Sequence, residues 1–351
     1  ALRVLRAGWA ADRSFHQPNP ALAVSEEDIE EAAAIRGDAE GFTVPPPPEG
    51  RCAAVVFALD GYRRGYLRLG VEGPPGAVVD VSWHERLANG RFDVRDSRVY
   101  TADRFVLSGA LETIESEDWI CGRYVQLTFR KVTRPLRVAE LAWTEAAYPL
   151  PRRTVFASSD ARLSRVVEIG LNSARLCMQD NIMDCPWRER RQWIGDVQRI
   201  ALVNHYAFGD RALVRGVLRQ HAQFQDPPTG RLWVCLPLYE EYPDQTMEWL
   251  RAVLEYGDYT GDATLLPEVA DALIRVHAWF LRQRDAAGLF RLPEPPSLLW
   301  MDNPYGPLRR HARASAFLAL NLRYLLFLDD VSRALDLLNR RAEARAARAE
   351  R

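Results

Sequence analysis

The sequence of 351 residues predicts a multidomain β + α fold in which an antiparallel β-sandwich is followed by an α-helical array. Two observations predict this fold class. From Cys52 to Glu145, short segments rich in β-branched and aromatic residues alternate with Gly, Pro, Asn and Asp, which is typical of an antiparallel sandwich of about six or more strands. After about Thr154 the hydrophobic period changes from roughly 2 to roughly 3.6, and that change indicates helices.

The first 44 residues are interpreted as the remnant of an upstream region and a linker. They mix an aromatic, Arg-containing stretch with an acidic, Ala-rich segment, and they end at the proline run Pro45–Pro48. Proline-rich runs act as stiff linkers. The predicted domains are therefore 1–44, a β-sandwich at 45–150, and a helical domain at 151–351.

Two similar turns divide the helical region into hairpins. Helical spacing is found in 166–176 and 197–207, and Gly209-Asp210 and Gly261-Asp262 each lie between helical patterns. The Gly suits the left-handed position after a helix, and the Asp suits the N-cap of the next one. Asp329-Asp330 are interpreted as the start of a third joint. Repeated hairpins at such spacing are typical of a helical toroid, and an unrelated α-bundle with two similar turns is the alternative.

Charge and composition limit the classes of partner. The 46 basic and 47 acidic residues leave a net charge of -1, so no overall field would attract nucleic acid or an anionic membrane. No apolar run approaches the roughly 18 residues of a membrane helix. The expected partner is a neutral or small molecule. The oligomeric state stays open, and a soluble cytoplasmic protein is favoured over a secreted one.

The cysteines and histidines give no metal-binding or disulfide pattern. The five cysteines are scattered and form no CxxC pair, and the six histidines form no HExxH spacing. Both patterns are the usual signs of a zinc site or of a disulfide framework. We therefore expect reduced, buried thiols, with no metal and no cofactor.

The segment 184–196, with the sequence DCPWRERRQWIGD, is the candidate functional site. It holds three carboxylates, three arginines and two tryptophans. Pro186 and Gly195 predict an irregular loop that opens a helix near Asp196, and loops on rigid scaffolds often carry function. Its carboxylates can converge on one small ligand, and its aromatic rings suit the apolar face of a sugar. A solvated network of salt bridges is the alternative, but it explains the two tryptophans poorly.

Such a segment fits glycoside hydrolysis. That reaction needs a protonated carboxyl group at the leaving oxygen and a second carboxylate that activates water from the opposite face. Neighbouring anions raise the pKa of one acid, whereas arginines keep another ionised. Glu189, which is flanked by Asp184 and Asp196, is the candidate acid.

The same run, followed by Val197-Gln198, resembles the signature of bacterial α-L-rhamnosidases. In that family an Asp-Cys-Pro opens a loop that carries the acidic residues and ends in Trp-x-Gly-Asp. Upstream, GYRRGYLRLGVEGPPGAVVDVSWHERL, DRFVLSG and GRYVQLTFR look like the β-sandwich that precedes the family's catalytic domain. The resemblance covers roughly residues 50–330. It implies an (α/α)6 toroid and the removal of terminal α-L-rhamnose with inversion, so a rhamnosylated small molecule or oligosaccharide is the expected substrate.

The resemblance also implies roles for individual residues. Glu189 matches the general acid. Asp184 and Asp196 match carboxylates that hold the rhamnose hydroxyls, with Arg188 beside them and Trp193 as a wall of the sugar pocket.

Three further residues are expected on later hairpins. Trp249 and Trp300 stand where the family places aromatic walls, although taken alone they are better explained as core or surface aromatics. Asp302 is a further expected hydroxyl ligand. Asn303, however, stands where the family usually has Trp.

Two departures from the family pattern qualify this interpretation. The family's common Asp-Glu-Arg-Leu-Gly-Trp is Arg-Glu-Arg-Arg-Gln-Trp here, which indicates a divergent branch. The family's general base is a Glu that would fall beyond Arg351, and about seven candidate helices are found where a six-hairpin toroid holds twelve. The last twelve residues are expected to form a solvated helix without a core-facing stripe. We therefore expect an incomplete toroid and a fragment that is inactive by itself.

Two other functions remain open at this stage. One is a toroid hydrolase for another sugar, of the glucoamylase or trehalase kind, although these lack the Asp-Cys-Pro loop. The other is a carbohydrate-binding protein without catalytic activity.

Overall fold

The computed structural model of the chain describes residues 2–12, 29–37, 41–93, 101–239, 242–292 and 318–351. The chain forms two compact units. The first contains Ala1–Ala147 together with Pro186–Arg188, and the second contains Tyr148–Cys185 and Glu189–Arg351. Trp300 and Asp302 lie outside the described residues.

The first unit is built on an antiparallel β sheet. Its strands are β1 (Leu2–Ala11), β2 (Glu30–Glu31), β3 (Arg36–Gly37), β4 (Phe42–Val44), β5 (Arg51–Glu72), β6 (Val78–His84), β7 (Ala102–Val106), β8 (Leu111–Glu115), β9 (Ile120–Arg130) and β10 (Leu136–Glu145). The main path through the sheet is β3-β4-β10-β5-β9-β6-β7, and β1 and β8 pair with β5 outside this path. The prediction of an antiparallel β region is thus confirmed.

Strand β5 organises this sheet because it is 22 residues long. Its first part pairs with β1 and β9, whereas its last part pairs with β10 and β8. Phe57, Leu69, Val79 and Phe129 are buried in one apolar cluster. The two parts of β5 therefore contribute to the same hydrophobic core, whose burial is the main source of stability for such a sheet.

The described part of residues 1–44 belongs to this sheet, which differs from the predicted division at residue 44. Strand β1 pairs with β5 over most of its length, from Leu2 opposite Leu59 to Ala11 opposite Arg51. Strand β4, just before the proline run, pairs with β10. Both pairings join residues far apart in sequence, so local composition could not reveal them.

A buried ionic network links four parts of the first unit. Asp80 accepts hydrogen bonds from Arg104 Nε at 2.6 Å and from Arg130 Nε at 2.8 Å. Arg130, which is only 4% exposed, also pairs with Asp12. Two guanidinium groups therefore depend on the Asp80 carboxylate.

Asp80→Ala is expected to lower the free energy of unfolding by about 3 to 5 kcal/mol, because it leaves the buried Arg130 without its main counter-charge. Urea unfolding measures this loss. Asp60→Ala is the matched control, since Asp60 pairs with Arg63 at an exposed position and such pairs contribute about 0 to 1 kcal/mol. Equal losses in the two variants would contradict the assignment of Asp80 as the centre of a buried network.

Residues 186–188 of the acidic segment belong to the first unit. The Trp187 ring lies 5.0 Å from the His84 ring, with an angle of 58° between their planes, and it packs against the apolar cluster of the sheet. Trp187 is therefore a structural contact of this unit.

The second unit is helical. Its helices are α1 (Ala161–Leu176), α2 (Ile194–Ala207), α3 (Ala212–Gln223), α4 (Pro243–Thr260), α5 (Leu265–Glu268), α6 (Ala270–Arg282), α7 (Leu318–Leu337) and α8 (Arg341–Ala349), and a short ladder joins β11 (Gln192–Trp193) to β12 (Cys235–Leu236). Helix α4 packs against both α2 and α7. Its buried residues include Trp249, Leu250 and Tyr256, so α4 is central to the helical core.

The two predicted Gly-Asp turns are found, but the helix N-caps are Arg211 and Thr264 instead of the two aspartates. Gly209 and Gly261 have φ values of 66° and 70°, the left-handed conformation that Gly adopts without steric cost. Asp210 Oδ1 accepts from the amide of Leu213, and Asp262 Oδ1 accepts from that of Thr264, both at 2.8 Å. Each Asp thus satisfies an amide at the start of the next helix.

The third predicted joint, at Asp329-Asp330, is wrong because both residues lie inside α7. Asp330 is buried and accepts from Arg251 Nε at 2.9 Å. Its carboxylate therefore forms an ion pair between two helices instead of capping a helix N-terminus. The turn between α7 and α8 occurs near Asn339, whose φ is 60°.

The first and last helices differ from expectation in burial. Helix α1 forms at the predicted place, but Val166 and Ile169 on its apolar side are 64% and 52% exposed. Helix α8 forms in the last twelve residues, yet Ala344 and Ala347 are fully buried, and α8 packs against α7. The expectation that this end lacks a core-facing stripe is wrong, because small alanines allow close approach.

Candidate functional site

The acidic segment is closed at its base by hydrogen bonds between its two ends. The amide of Asp184 donates to the carbonyl of Arg191 at 2.8 Å, and the amide of Arg191 donates to Asp184 Oδ1 at 3.0 Å. Between them, the amide of Glu189 donates to Cys185 Sγ at 3.2 Å. Arg190 has a φ of 55°. These constraints hold Glu189 in a fixed backbone position, and sequence reasoning did not foresee the contribution of the Cys185 thiol.

Trp193 orients the side chain of Glu189. Its indole Nε1 donates to Glu189 Oε2 at 3.0 Å. The Trp193 ring is 6% exposed and lies 5.5 Å from the ring of Tyr242. Its backbone pairs with Cys235 in the β11-β12 ladder. Because the indole is fixed on several sides, the carboxylate that it holds is preorganised.

Asp196 lies in the first turn of α2, where the helix dipole favours a negative charge. Burial first of all, helped by the neighbouring Asp184 and Glu189 carboxylates, nevertheless raises the pKa of Asp196 to about 6 against the opposing effect of Arg199. Desolvation therefore outweighs the favourable charges. The result also places Asp184 and Glu189 within electrostatic reach of Asp196.

A test of this environment compares Asp196→Asn with the wild type at pH 4 and pH 7. Because the folded-state pKa lies above the unfolded value of 3.8, wild-type stability falls as the pH rises through 4 to 6. After a discount for solvent screening, the difference is about 1 to 2 kcal/mol. The stability of Asp196→Asn relative to the wild type should therefore increase by that amount between pH 4 and pH 7 in urea unfolding.

Asp285→Asn is the matched control, because a hydrogen bond from Arg291 lowers the pKa of Asp285. The Asn variant should lose stability relative to the wild type as the pH rises through the range below and around 3.8, and little above it, which is the opposite sign. A pH-independent difference for Asp196→Asn would contradict the buried environment of its carboxyl group.

The structure brings together four of the predicted site residues in the second unit, namely Asp184, Glu189, Trp193 and Asp196. Arg188 is exposed and belongs to the first unit. The loop that opens a helix near Asp196 is also found, since α2 begins at Ile194.

Trp249 lies in the core of the helical unit. Its side chain has no exposed surface, and its Nε1 donates to the carbonyl of Leu218 at 3.0 Å. The sequence analysis left open whether Trp249 is a core residue or a wall of the sugar pocket, and this placement is that of a core residue. It does not favour a contact with sugar, because no surface of the indole is accessible.

Residues at the start of α4 complete the surroundings of the acidic segment, and the sequence analysis did not identify them. Gln245 Oε1 accepts from the amide of Gly195 at 3.3 Å. A Cβ atom at Gly195 would lie 3.2 Å from the Gln245 side chain, so glycine permits this close packing. The Tyr242-Pro243 step, with Pro in the first turn of α4, was a helix-start signal that could have located this element.

A pocket of about 410 Å³ lies between α4 and α7. Glu248 in its wall pairs with Arg199 at 3.7 Å and with Arg323. Burial raises the pKa of Asp330, another wall residue, to about 6. This pocket therefore combines charged groups that are already paired with one another.

Two further properties concern ligands and membranes. In the part of the chain that the structure describes, no group of three or more His, Cys, Asp or Glu residues is arranged to hold a metal ion. None of the described helices combines the length and the apolar character needed to cross a lipid bilayer.

Paired helices with Gly-Asp turns, and a carboxylate-rich loop that opens one of them, fit the helical glycosidase domain that the sequence predicted. Residues 151–295 match the family model of the bacterial alpha-L-rhamnosidase six-hairpin glycosidase domain. Residues 151–295 are therefore similar to that domain, in agreement with the family predicted from the acidic segment. No curated protein matched the chain.

Solved structures agree with this family. The GH78 rhamnosidase of Bacillus sp. GL1 is 25% identical, with a TM-score of 0.78 over 89% of this chain and 32% of its own. The rhamnosidase from Klebsiella oxytoca with rhamnose bound is 18% identical, with a TM-score of 0.69 over 100% of this chain and 69% of its own. A Streptomyces avermitilis α-L-rhamnosidase complexed with L-rhamnose is 20% identical, with a TM-score of 0.58 over 86% and 30%. The chain thus spans about a third of the Bacillus enzyme.

Proposed function

We propose that the protein to which this chain belongs hydrolyses glycosides and releases terminal α-L-rhamnose. The observation that carries the proposal is the cluster of Asp184, Glu189 and Asp196, in which Glu189 is held by the Trp193 indole. The rhamnose found in two structurally similar enzymes supports this choice of sugar. The substrate is a rhamnosylated small molecule or oligosaccharide.

In this proposal Glu189 is the general acid. Its Oε2 accepts from Trp193, so the transferable proton resides on Oε1. As the glycosidic bond breaks, its electrons pass to the leaving oxygen and this oxygen takes the proton. A water molecule attacks the sugar carbon from the opposite face and gives its proton to a second carboxylate, which inverts the configuration.

The other predicted residues, apart from the core residue Trp249, bind the sugar. Asp184 and Asp196 hold hydroxyl groups, and burial with neighbouring charge raises the pKa of Asp196, so that it can also donate a hydrogen bond below about pH 6. Arg188 contributes positive charge, and Trp193 forms one wall. Trp300 and Asp302 remain proposed sugar contacts.

The second carboxylate is a further part of the proposal. An inverting enzyme places it about 6.5 to 9.5 Å from the acid, which leaves room for the attacking water. The resemblance implies a Glu beyond Arg351 for this role. We therefore propose that the (α/α)6 toroid is incomplete in these residues, and that the 351-residue chain alone hydrolyses at the background rate.

The test is a panel of aryl glycosides incubated with the complete gene product. We expect the enzyme to release rhamnose from the aryl α-L-rhamnoside and to leave the aryl α-D-glucoside and the other common glycosides intact. NMR should show the β anomer of rhamnose as the first product. If another sugar is released, the proposal that the protein is a glycosidase stands, but its sugar is not rhamnose. No release from any glycoside by folded protein would leave a carbohydrate-binding role and overturn the enzymatic one.

A further inference from the structure

The thiol of Cys185 lies in the turn that carries the candidate acid, and its burial differs from that of the other cysteines. Cys52, Cys121, Cys177 and Cys235 are buried, whereas Cys185 is half-buried. A buried free thiol behaves as a small apolar side chain that packs in a core. A half-buried thiol gains less from such packing, so the hydrogen bonds of Cys185 are the more informative feature.

The sulfur of Cys185 accepts hydrogen bonds from two successive backbone amides. The amide of Glu189 donates to Sγ at 3.2 Å, and the amide of Arg190 donates to it as well. Two consecutive amides that point at one atom form a concave site for negative charge. Arg190 is in the left-handed conformation, with a φ of 55°. Such strain persists only where the surroundings hold it, and the sulfur supplies contacts of this kind.

The same thiol also forms a hydrogen bond with the side chain of Asp184. Burial first, and then this bond, raise the pKa of Cys185 above its ordinary value of 9.0, against the opposing effect of the two amides. The thiol is therefore protonated at pH 7. Because a carboxylate can only accept, the S–H group is the donor in this bond. Cys185 thus bridges the Asp184 carboxylate and the backbone of Glu189 and Arg190.

This bridge joins two residues that have different roles in the proposed reaction. Asp184 is proposed to hold sugar hydroxyls, and Glu189 is proposed to protonate the leaving oxygen. Their relative position sets the distance between the bound sugar and the proton donor, and a displacement of about 1 Å in such a geometry can cost about a hundredfold in rate. Trp193 orients the carboxyl group of Glu189, whereas Cys185 holds its backbone.

We propose that Cys185 is a positioning residue for the general acid, because its thiol links Asp184 to the backbone of Glu189 and Arg190. The proposal rests on the proposed function for its effect on the reaction. The thiol acts through its hydrogen bonds, without touching the substrate and without forming a covalent bond.

The first experiment measures hydrogen exchange of the Glu189 and Arg190 amides in the 351-residue chain. Cys185→Ala removes the sulfur, so both amides should exchange about tenfold faster than in the wild type, the effect of one lost hydrogen bond. Cys185→Ser keeps a donor and an acceptor and should keep most of the protection. Cys52→Ala is the matched control, because it removes a buried thiol from the first unit. Equal exchange in the wild type and Cys185→Ala overturns the proposal.

The second experiment measures kcat for a methyl and a nitrophenyl α-L-rhamnoside in the complete gene product. A displaced acid delivers its proton poorly, and the methyl substrate depends on that proton far more than the nitrophenyl substrate does. Cys185→Ala should therefore lower kcat at least about tenfold for the methyl substrate and much less for the nitrophenyl substrate, and Cys185→Ser should restore most of the rate. A merely structural role would reduce the amount of active enzyme and lower both rates by the same factor.

A double variant tests whether Cys185 acts through Glu189. In the Glu189→Gln background, Cys185→Ala should cause little further loss of kcat for the methyl rhamnoside, because residues that act as a unit have non-additive effects. A further loss as large as that in the wild-type background would show that the thiol acts elsewhere, and the positioning role would be wrong.

The two proposals fail in different ways. If both rhamnosides are hydrolysed and Cys185→Ala changes the two kcat values equally or not at all, the positioning role is overturned and the rhamnosidase stands. If the folded complete protein hydrolyses neither rhamnoside, the rhamnosidase is overturned, together with the part of Cys185 in that reaction. The exchange rates of the Glu189 and Arg190 amides then still decide whether the thiol holds this turn.

Discussion

Glu189→Gln is expected to lower kcat for rhamnose release at least about a hundredfold in the complete gene product, the usual size of a general-acid contribution. The Gln amide is nearly isosteric with the carboxyl group. Its oxygen can still accept the hydrogen bond that Trp193 Nε1 donates to Glu189 Oε2 at 3.0 Å in the wild type. The variant should therefore fold normally and differ only in proton delivery. Initial rates with methyl α-L-rhamnoside, whose leaving group needs a proton, measure the loss.

The leaving group sharpens this prediction. A nitrophenolate is a good leaving group and needs little protonation, whereas a methanolate leaves only when it is protonated. The decrease in kcat caused by Glu189→Gln should therefore be larger for the methyl rhamnoside than for the nitrophenyl rhamnoside. Glu168→Gln is the matched control, because Glu168 forms an exposed pair with Arg152 at 2.7 Å. If Glu189→Gln keeps more than a tenth of the wild-type rate with both substrates, Glu189 is not the acid.

The features that the sequence predicted correctly are local ones. Gly209 and Asp210 act within one turn, as a left-handed residue and as an acceptor for the amide of Leu213. Their residue types are sufficient to define that joint. Asp330 shows the limit of the same reasoning, because its pairing with Arg251 depends on how two distant helices pack.

The candidate site follows the same division. Asp184, Glu189 and Asp196 lie in one short segment, so the sequence itself brings them together. Tyr242 and Gln245 join the site from about fifty residues further along, through the packing of α4 against α2. No sequence motif predicts that Tyr242 and Gln245 lie beside the acidic segment, because their position depends on tertiary packing.

Strand β1 illustrates the same limit in the sheet. Its composition and the proline run after it resemble a linker, yet it pairs with β5 along its length. The partner of a strand is determined by long-range pairing and register, and no local pattern in a single sequence identifies that partner. Domain boundaries are therefore less predictable than the helices that follow them.

Trp249→Ala is expected to lower the free energy of unfolding by about 3 to 5 kcal/mol, the usual cost of removing a buried Trp side chain. The indole has no exposed surface, and its removal also leaves the carbonyl of Leu218 without the donor at 3.0 Å. Urea unfolding of the 351-residue chain, followed by helical circular dichroism, measures this loss. Phe156→Ala is the matched control, because Phe156 is 42% exposed and surface changes stay within about 0.5 kcal/mol.

A second substitution at this position, Trp249→Phe, separates a core role for Trp249 from the sugar wall that the family resemblance implies. Trp249→Phe keeps most of the apolar volume and loses only the indole N–H and part of the ring. If Trp249 is a core residue, this variant should be less stable than the wild type but have the same KM for an aryl α-L-rhamnoside. A wall residue would give the reverse, with a raised KM and nearly unchanged stability, and that result would require α4 to present Trp249 to the sugar in the complete gene product.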